Sequence, residues 1–291
     1  MFNSSLNWDR IPTKIKRAIE ASLEHLNEHK FVLNDTNIEV IDDYCWDLIV
    51  CHLKQLLYMN LAHNKLKNLP SHVSNLVYLR TLNLTNNHLE ELPSSIVLLS
   101  NLRILKLGYN QLSSLPRSFS SLKSLEILDL TGNDLNEESL TNDFFQLCNL
   151  RALYLGDNLF ETFPNDHIDK LGNLQILVLR HNRLRHIPKE LTHLPQLKEL
   201  HIQQNQINVL PPEFGQLDLG NVKHIYRFEP NPFIPEIALQ MSNLTRLANF
   251  LKSDAYKEIH QNHFLNFNED EMKELPRKTT KRNKHVLNKI K

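Results

Sequence analysis

Leu79-Arg80-Thr81-Leu82-Asn83-Leu84-Thr85-Asn86-Asn87-His88-Leu89-Glu90-Glu91-Leu92-Pro93 is the stretch from which the fold is read, because its frame, L-x-x-L-x-L-x-x-N-x-L-x-x-L-P, returns along the chain. Seven asparagines, Asn64, Asn87, Asn110, Asn133, Asn158, Asn182 and Asn205, stand inside that frame at intervals of 23, 23, 23, 25, 24 and 23 residues, with minor lapses in individual copies. A fixed period of this size specifies an array of stacked supersecondary units.

The unit is a leucine-rich repeat, and the expected class is an α/β leucine-rich-repeat solenoid with a curved parallel sheet on its concave face and a cap at each end. Side chains alternate along a strand, so the Leu-x-Leu pair is the inward face of a short strand. One strand cannot bury its leucines alone; stacked copies turn those leucines, with Leu66, Leu89 and Leu112, into one continuous core. The asparagine amide, at the point where the chain leaves the strand, can donate to and accept from backbone of its own and the neighbouring turn. Proline at Pro70, Pro93, Pro116, Pro164, Pro188 and Pro211 ends the strand side and opens the outer segment. The fourth copy lacks it, and the following interval is two residues longer, which predicts a longer loop or helical turn there.

Stacked cores need sealed ends. Ile15, Ile19, Leu23 and Leu26 predict an amphipathic helix over residues 13–29 packed on the first repeat, followed by a degenerate copy (Phe31, Leu33, Thr36, Ile38, Ile41) with threonine in the asparagine place. At the other end Ile225, Phe228, Asn231, Pro232 and Phe233 read as a weak eighth copy. Ile237, Met241, Leu244, Leu247 and Leu251 predict a helix from about 235 to 252, with a continuation through Tyr256 and Ile259. The division is therefore 1–52 N-terminal cap, 53–234 repeats, 235–265 helical cap, and 266–291 a basic, disordered tail.

Composition narrows the function. The formal net charge is zero, against the basic excess of a nucleic-acid protein. No apolar stretch approaches a membrane span and no leader pattern precedes the repeats, so a cytoplasmic chain is expected. Cys45, Cys51 and Cys148, odd in number and scattered, read as reduced thiols. Asn3, Asn34, Asn83 and Asn243 begin glycosylation-type tripeptides, but the expected compartment outweighs so short a pattern. Phosphate-cradling loops, zinc-protease motifs and C-x-x-C are absent, and His63, His181 and His201 lack ligand spacing. Neither metal nor cofactor is expected, and no nucleophile and base are singled out.

Function is therefore sought on outward strand positions. Counting back four residues from each asparagine gives Asn60, Asn83, Lys106, Asp129, Tyr154, Val178 and His201; counting back six gives Tyr58, Thr81, Ile104, Ile127, Ala152, Ile176 and Glu199. The isoleucines of the second row are expected to be exposed. Tyr109, Asp157 and His181 precede their asparagines directly, and Arg180 stands two before Asn182. Aromatic anchors among mixed charges have the composition of a protein interface. The predicted partner-binding set is Tyr58, Asn83, Ile104, Lys106, Tyr109, Ile127, Asp129, Tyr154, Asp157, Arg180, His181 and His201.

In detail Leu125–Leu140 (LEILDLTGNDLNEESL), Leu150–Pro164 (LRALYLGDNLFETFP), Leu174–Asn182 (LQILVLRHN), Gln196–Glu213 (QLKELHIQQNQINVLPPE), Asn231-Pro232 and Ser253–Lys257 (SDAYK) closely resemble the Ras suppressor protein family. The resemblance covers about residues 31–265. It implies a non-catalytic cytoplasmic adaptor, monomeric before assembly, that binds the last LIM domain of a PINCH-type protein. Through that domain it would join the integrin-linked kinase, PINCH and parvin assembly at cell-matrix adhesions and dampen Ras signalling. Any zinc would belong to the LIM partner. The alternative is a regulatory subunit that binds a phosphatase or a small GTPase.

Overall fold

The computed structural model describes residues 10–266. Nine three-residue strands form one parallel sheet in sequential order among these residues: β1 (Lys30–Val32), β2 (Tyr58–Asn60), β3 (Thr81–Asn83), β4 (Ile104–Lys106), β5 (Ile127–Asp129), β6 (Ala152–Tyr154), β7 (Ile176–Val178), β8 (Glu199–His201) and β9 (Ile225–Arg227). The middle residue of every strand points into the core, from Phe31 and Met59 through Leu82, Leu105, Leu128, Leu153, Leu177 and Leu200 to Tyr226. The first and third residues face the concave side, as a period of two requires.

From β2 onward the return paths carry short 3-10 segments on the convex side. The pairs Val73/Leu76, Ile96/Leu99, Phe119/Leu122, Phe144/Leu147, Ile168/Leu171 and Leu191/Leu194 are buried there at a spacing of three, which puts both members on one side of a helix with three residues per turn. Pro70, Pro93, Pro188 and Pro211 directly precede such segments. The fourth copy, without its proline, carries two, Glu137–Ser139 and Phe144–Gln146, which absorb its extra residues.

Asparagine fixes one turn to the next. Asn110 Nδ2 donates to Leu107 O at 2.9 Å and to Leu84 O of the preceding repeat at 3.0 Å, while its Oδ1 accepts from Leu89 N at 3.0 Å. Asn231 repeats this in the weak eighth copy, donating to Ile202 O and Phe228 O and accepting from Asn205 N. Thr36 stands in the ladder position of β1, where its hydroxyl meets Asn64 Oδ1 at 2.8 Å.

The N-terminal helix α1 (Thr13–Glu24) buries Ile15 and Ile19 and packs beside β1. A second helix, α2 (Asp43–His52), was not anticipated from sequence. Asp42 caps it by accepting from Cys45 N at 2.8 Å, and Trp46 and Ile49 are buried beneath it. Burial first, then the hydrogen bond to Asp42, pushes the Cys45 thiol up to about 12, so it stays protonated. No disulfide joins the three cysteines; Cys51 and Cys148 are exposed free thiols.

The single helix expected over 235–252 is divided. A short turn of helix, α3 (Pro235–Ala238), ends before Met241, and α4 (Leu244–Lys252) begins afresh because Asn243 accepts from Arg246 N at 3.0 Å as its N-cap. Then α5 (Asp254–Asn266) carries Tyr256 back into the core, its hydroxyl donating to Leu210 O. Gly215 sits under α4, where a Cβ would come within 2.8 Å of Ala248 O, so only glycine permits that approach. The basic run from Arg277 to Lys291 lies outside the described residues.

Replacing Asn110 by Ala removes its bonds to Leu84 O, Leu107 O and Gly108 O and strands the Leu89 amide, and should cost about 1–3 kcal/mol. Leu105→Ala should cost about 2–5 kcal/mol. Urea unfolding of both variants checks the register; unchanged midpoints would refute it. Acid should loosen the C-terminal cap. Burial lowers His186 and His260 below their ordinary 6.5; Glu213 opposes this at His260, while the charge of His263 acts with burial on both. The unfolded chain therefore takes up these protons first as pH falls, so stability is full above 6.5 and is lost below it as pH descends through the folded values. Thermal melts at pH 7.5 and 5.5 should show a smaller loss in a His186→Gln/His260→Gln variant than in the wild type.

Candidate functional site

Both rows counted from the asparagines are real columns of neighbours. Val32, Asn60, Asn83, Lys106, Asp129, Tyr154, Val178, His201 and Arg227 pair strand by strand, as do Lys30, Tyr58, Thr81, Ile104, Ile127, Ala152, Ile176, Glu199 and Ile225. Arg227 and Lys30 were missed because their strands belong to degenerate copies; Arg227 is four before Asn231. Tyr58 and His201 lie six strands apart, about 29 Å at about 4.8 Å per strand. Together the columns floor one concave face.

Burial corrects part of the expectation. Ile104, Ile127 and Ile176 are half-buried rather than exposed, and Val178 and Ala152 are buried, since neighbouring side chains on a curved inner face crowd together. Several polar members are partly committed to the backbone: Asn83 Oδ1 accepts from Thr85 N at 3.1 Å and Asp129 Oδ1 from Thr131 N at 3.0 Å. Only their remaining polar atoms can meet a partner.

At the strand ends the residues directly before the asparagines, His63, Asn86, Tyr109, Gly132, Asp157, His181 and Gln204, all have positive φ, from 54° to 69°. This left-handed step turns Tyr109, Asp157 and His181 onto the rim of the concave face. Three glycines in consecutive copies, Gly108, Gly132 and Gly156, then make room for side chains. A Cβ on Gly132 would meet the Tyr109 ring at 2.7 Å, one on Gly108 would meet both Asp129 carboxylate oxygens at 3.3 Å, and one on Gly156 would meet Arg180 Cγ at 3.2 Å. Tyr109, Asp129 and Arg180 are thus held against bare backbone. The glycines one and two places before the asparagines carried this signal in the sequence.

The face is electrically mixed. Burial, then Glu199 and Asp129, raises the Tyr154 phenol, which stays protonated as a donor at neutral pH. Burial, then Arg227 and Arg180, lowers His201 below its ordinary 6.5, so it is neutral there, and its Nε2 is buried without a partner. Tyr109 remains half-exposed, a rigid aromatic on the rim. The hollows are shallow and open, as at Asn158, His181, Arg183 and Gln204. No group of three or more His, Cys, Asp or Glu side chains able to hold a metal occurs among the described residues. Nor is any described helix long and apolar enough to cross a membrane.

A family model described as a leucine-rich repeat region matches residues 32–159, and another described as leucine rich repeat matches 139–214. Ras suppressor protein 1 of Homo sapiens is 42% identical over 250 residues, which cover 86% of this chain and 88% of that protein. The chain belongs to the Ras suppressor protein family. Podocan of Mus musculus and the flightless-1 homolog of Caenorhabditis elegans are 35% and 34% identical, but the matches span only 13% and 6% of their lengths. Among solved structures, the ectodomain of the Arabidopsis thaliana receptor kinase GASSHO1/SCHENGEN3 aligns with TM-score 0.54 and 27% identity over 64% of this chain and 22% of that one. An internalin of Listeria monocytogenes aligns at 0.56 and 21% over 80% and 73%, a likeness of fold alone. As a Ras suppressor family member with this repeat fold, the chain is a protein-interaction scaffold.

Gly132→Ala forces a Cβ into the Tyr109 ring at positive φ, and should cost at least about 1 kcal/mol. Gly172, with open space around it, should accept Ala within about 0.5 kcal/mol. Equal unfolding midpoints for the two variants would refute the close packing of Tyr109.

Proposed function

We propose that the concave face binds the last LIM domain of a PINCH-type protein, making this chain a non-catalytic adaptor in the integrin-linked kinase, PINCH and parvin assembly. Its site of action is then the cytoplasmic side of cell-matrix adhesions, and its effect a dampening of Ras signalling. The reading is carried by one observation: Tyr109, Asp129 and Arg180, each held against a glycine, and Tyr154, which pairs with Asp129 in the same concave row, all come from copies three to six. Those copies lie within the 250 residues shared with Ras suppressor protein 1. The name of that relative ties it to Ras; the LIM partner comes from the resemblance of LEILDLTGNDLNEESL and its companion stretches.

A broad open face of this kind suits a folded domain and offers no deep enclosure for a small molecule. Tyr109 and Tyr154 are the anchors expected to dominate, with Lys106, Asp129, Asp157, Arg180, His181 and His201 giving orientation, and Tyr58, Asn83, Ile104 and Ile127 extending the contact.

Calorimetric titration with the zinc-loaded last LIM domain, and an earlier LIM domain as control, should give selective one-to-one binding. Tyr109→Ala/Tyr154→Ala should weaken it at least about tenfold with the unfolding midpoint retained, because buried aromatic anchors carry about 2 kcal/mol or more each. No binding to the folded LIM domain would move the phosphatase or GTPase regulator to the front.

A further inference from the structure

Seven residues before each ladder asparagine runs a third column, along the rim where the strands begin: Leu57, Arg80, Arg103, Glu126, Arg151, Gln175, Lys198 and His224. From Leu57 to Lys198 its backbone is fixed at each step by paired bonds. Arg80 O accepts from Arg103 N and Ile104 N at 2.8 and 2.9 Å, Arg103 O from Glu126 N and Ile127 N at 2.8 and 3.0 Å, and Arg151 O from Gln175 N and Ile176 N at 2.8 and 3.0 Å.

Arg80, Arg103, Arg151 and Lys198 are all exposed, against one acid. Glu126 lies between Arg103 and Arg151, at 3.5 and 4.0 Å from their Nη1 atoms. Each guanidinium has five N–H donors, so one shared carboxylate leaves most of them free to bond elsewhere. Lys54 and Lys123, three residues ahead of the column in their own copies, are exposed as well. In a chain of zero formal net charge, positive charge has been gathered on this rim.

We propose that the column docks an acidic, extended segment of the protein partner seated on the concave floor, a reading that rests on the adaptor function above. The column is continuous with that floor: Arg80, Arg103 and Arg151 directly precede Thr81, Ile104 and Ala152, so a domain resting on the second row lies against it. An anionic membrane is the poorer occupant, because Glu126 in mid-column would face the same uniform negative charge and a neutral chain is not drawn to it at long range.

Spacing defines the segment further. Arg103 to Arg151 and Arg151 to Lys198 are each two strands, about 10 Å. A polyproline-type chain rises about 3.1 Å per residue with three residues per turn, which brings every third side chain to the same face about 9.3 Å further on. Acids at every third position of such a segment match the cations.

The probe is a fluorescein-labelled (Glu-Pro-Pro)4 peptide, followed by anisotropy with the full chain at low ionic strength. Binding that weakens with salt, falls at least about tenfold in Arg103→Glu/Arg151→Glu/Lys198→Glu, and stays within about twofold in Lys67→Glu/Lys170→Glu/Arg246→Glu supports the proposal; the control carries the same charge change on exposed sites elsewhere. Equal loss in both variants, no loss in the first, or no peptide binding at all overturns it. Binding to phosphatidylserine vesicles through the same three residues, without peptide binding, overturns it in favour of a membrane. With the LIM domain, the column variant should slow association several-fold. LIM binding at an unchanged association rate sinks the rim and spares the adaptor reading. Absence of LIM binding sinks that reading, while the peptide still decides the rim.

Discussion

Everything on the concave face depends on one side chain doing three jobs per copy. The ladder asparagine donates to its own strand end and to the preceding copy, and accepts from the amide of that copy's turn. A leucine in place of Asn110 would strand the Leu89 amide, at a cost of about 1–3 kcal/mol, and leave Leu84 O and Leu107 O with only the bonds that Asn87 and Asn133 donate to them. Because the same atoms bond at every step, adjacent copies cannot slip, and a residue four before one asparagine must stand beside the residue four before the next. Register at the core therefore becomes register on the binding surface.

Hydrophobic stacking supplies the cohesion that this ladder orients. Each copy contacts chiefly its neighbours, which is why both ends carry irregular elements that cover the terminal leucines. At the front, α1 lies against β1; at the back, α4 packs on residues 212–216 through Gly215 and Tyr256 closes on Leu210.

Periodic features were legible in the sequence, and features that break or overlay the period were not. Both concave columns follow from counting, because Asn64 to Asn205 set the frame. The helix Asp43–His52 hid inside an aperiodic stretch between a degenerate copy and the first good one, although Asp42 as a cap and buried Trp46 and Ile49 supplied a local signal. The cap helix was drawn too long because Ile237, Met241, Leu244, Leu247 and Leu251 keep helical spacing across a turn; Asn243 marked the restart. On the site, periodicity located Tyr109, Asp129 and Arg180 but said nothing of the glycines beneath them. Exposure of Ile104, Ile127 and Ile176 was overestimated because a counting rule has no curvature. How a partner shares its contacts among these residues is set by that partner's own shape, which lies outside one chain's sequence.

The left-handed step before each asparagine restricts what a binding surface built this way can become. Its occupants are Asp35, His63, Asn86, Tyr109, Gly132, Asp157, His181 and Gln204, in β1's copy and the seven that follow, and none is β-branched. Valine, isoleucine and threonine fit that backbone poorly, whereas flat rings, amides and carboxylates are tolerated. The next such position holds Pro230, whose ring fixes φ near −65° and closes the series. Along this line the surface can change its specificity by exchanging one planar or polar group for another, but it cannot evolve an aliphatic β-branched contact without first giving up the turn that presents it.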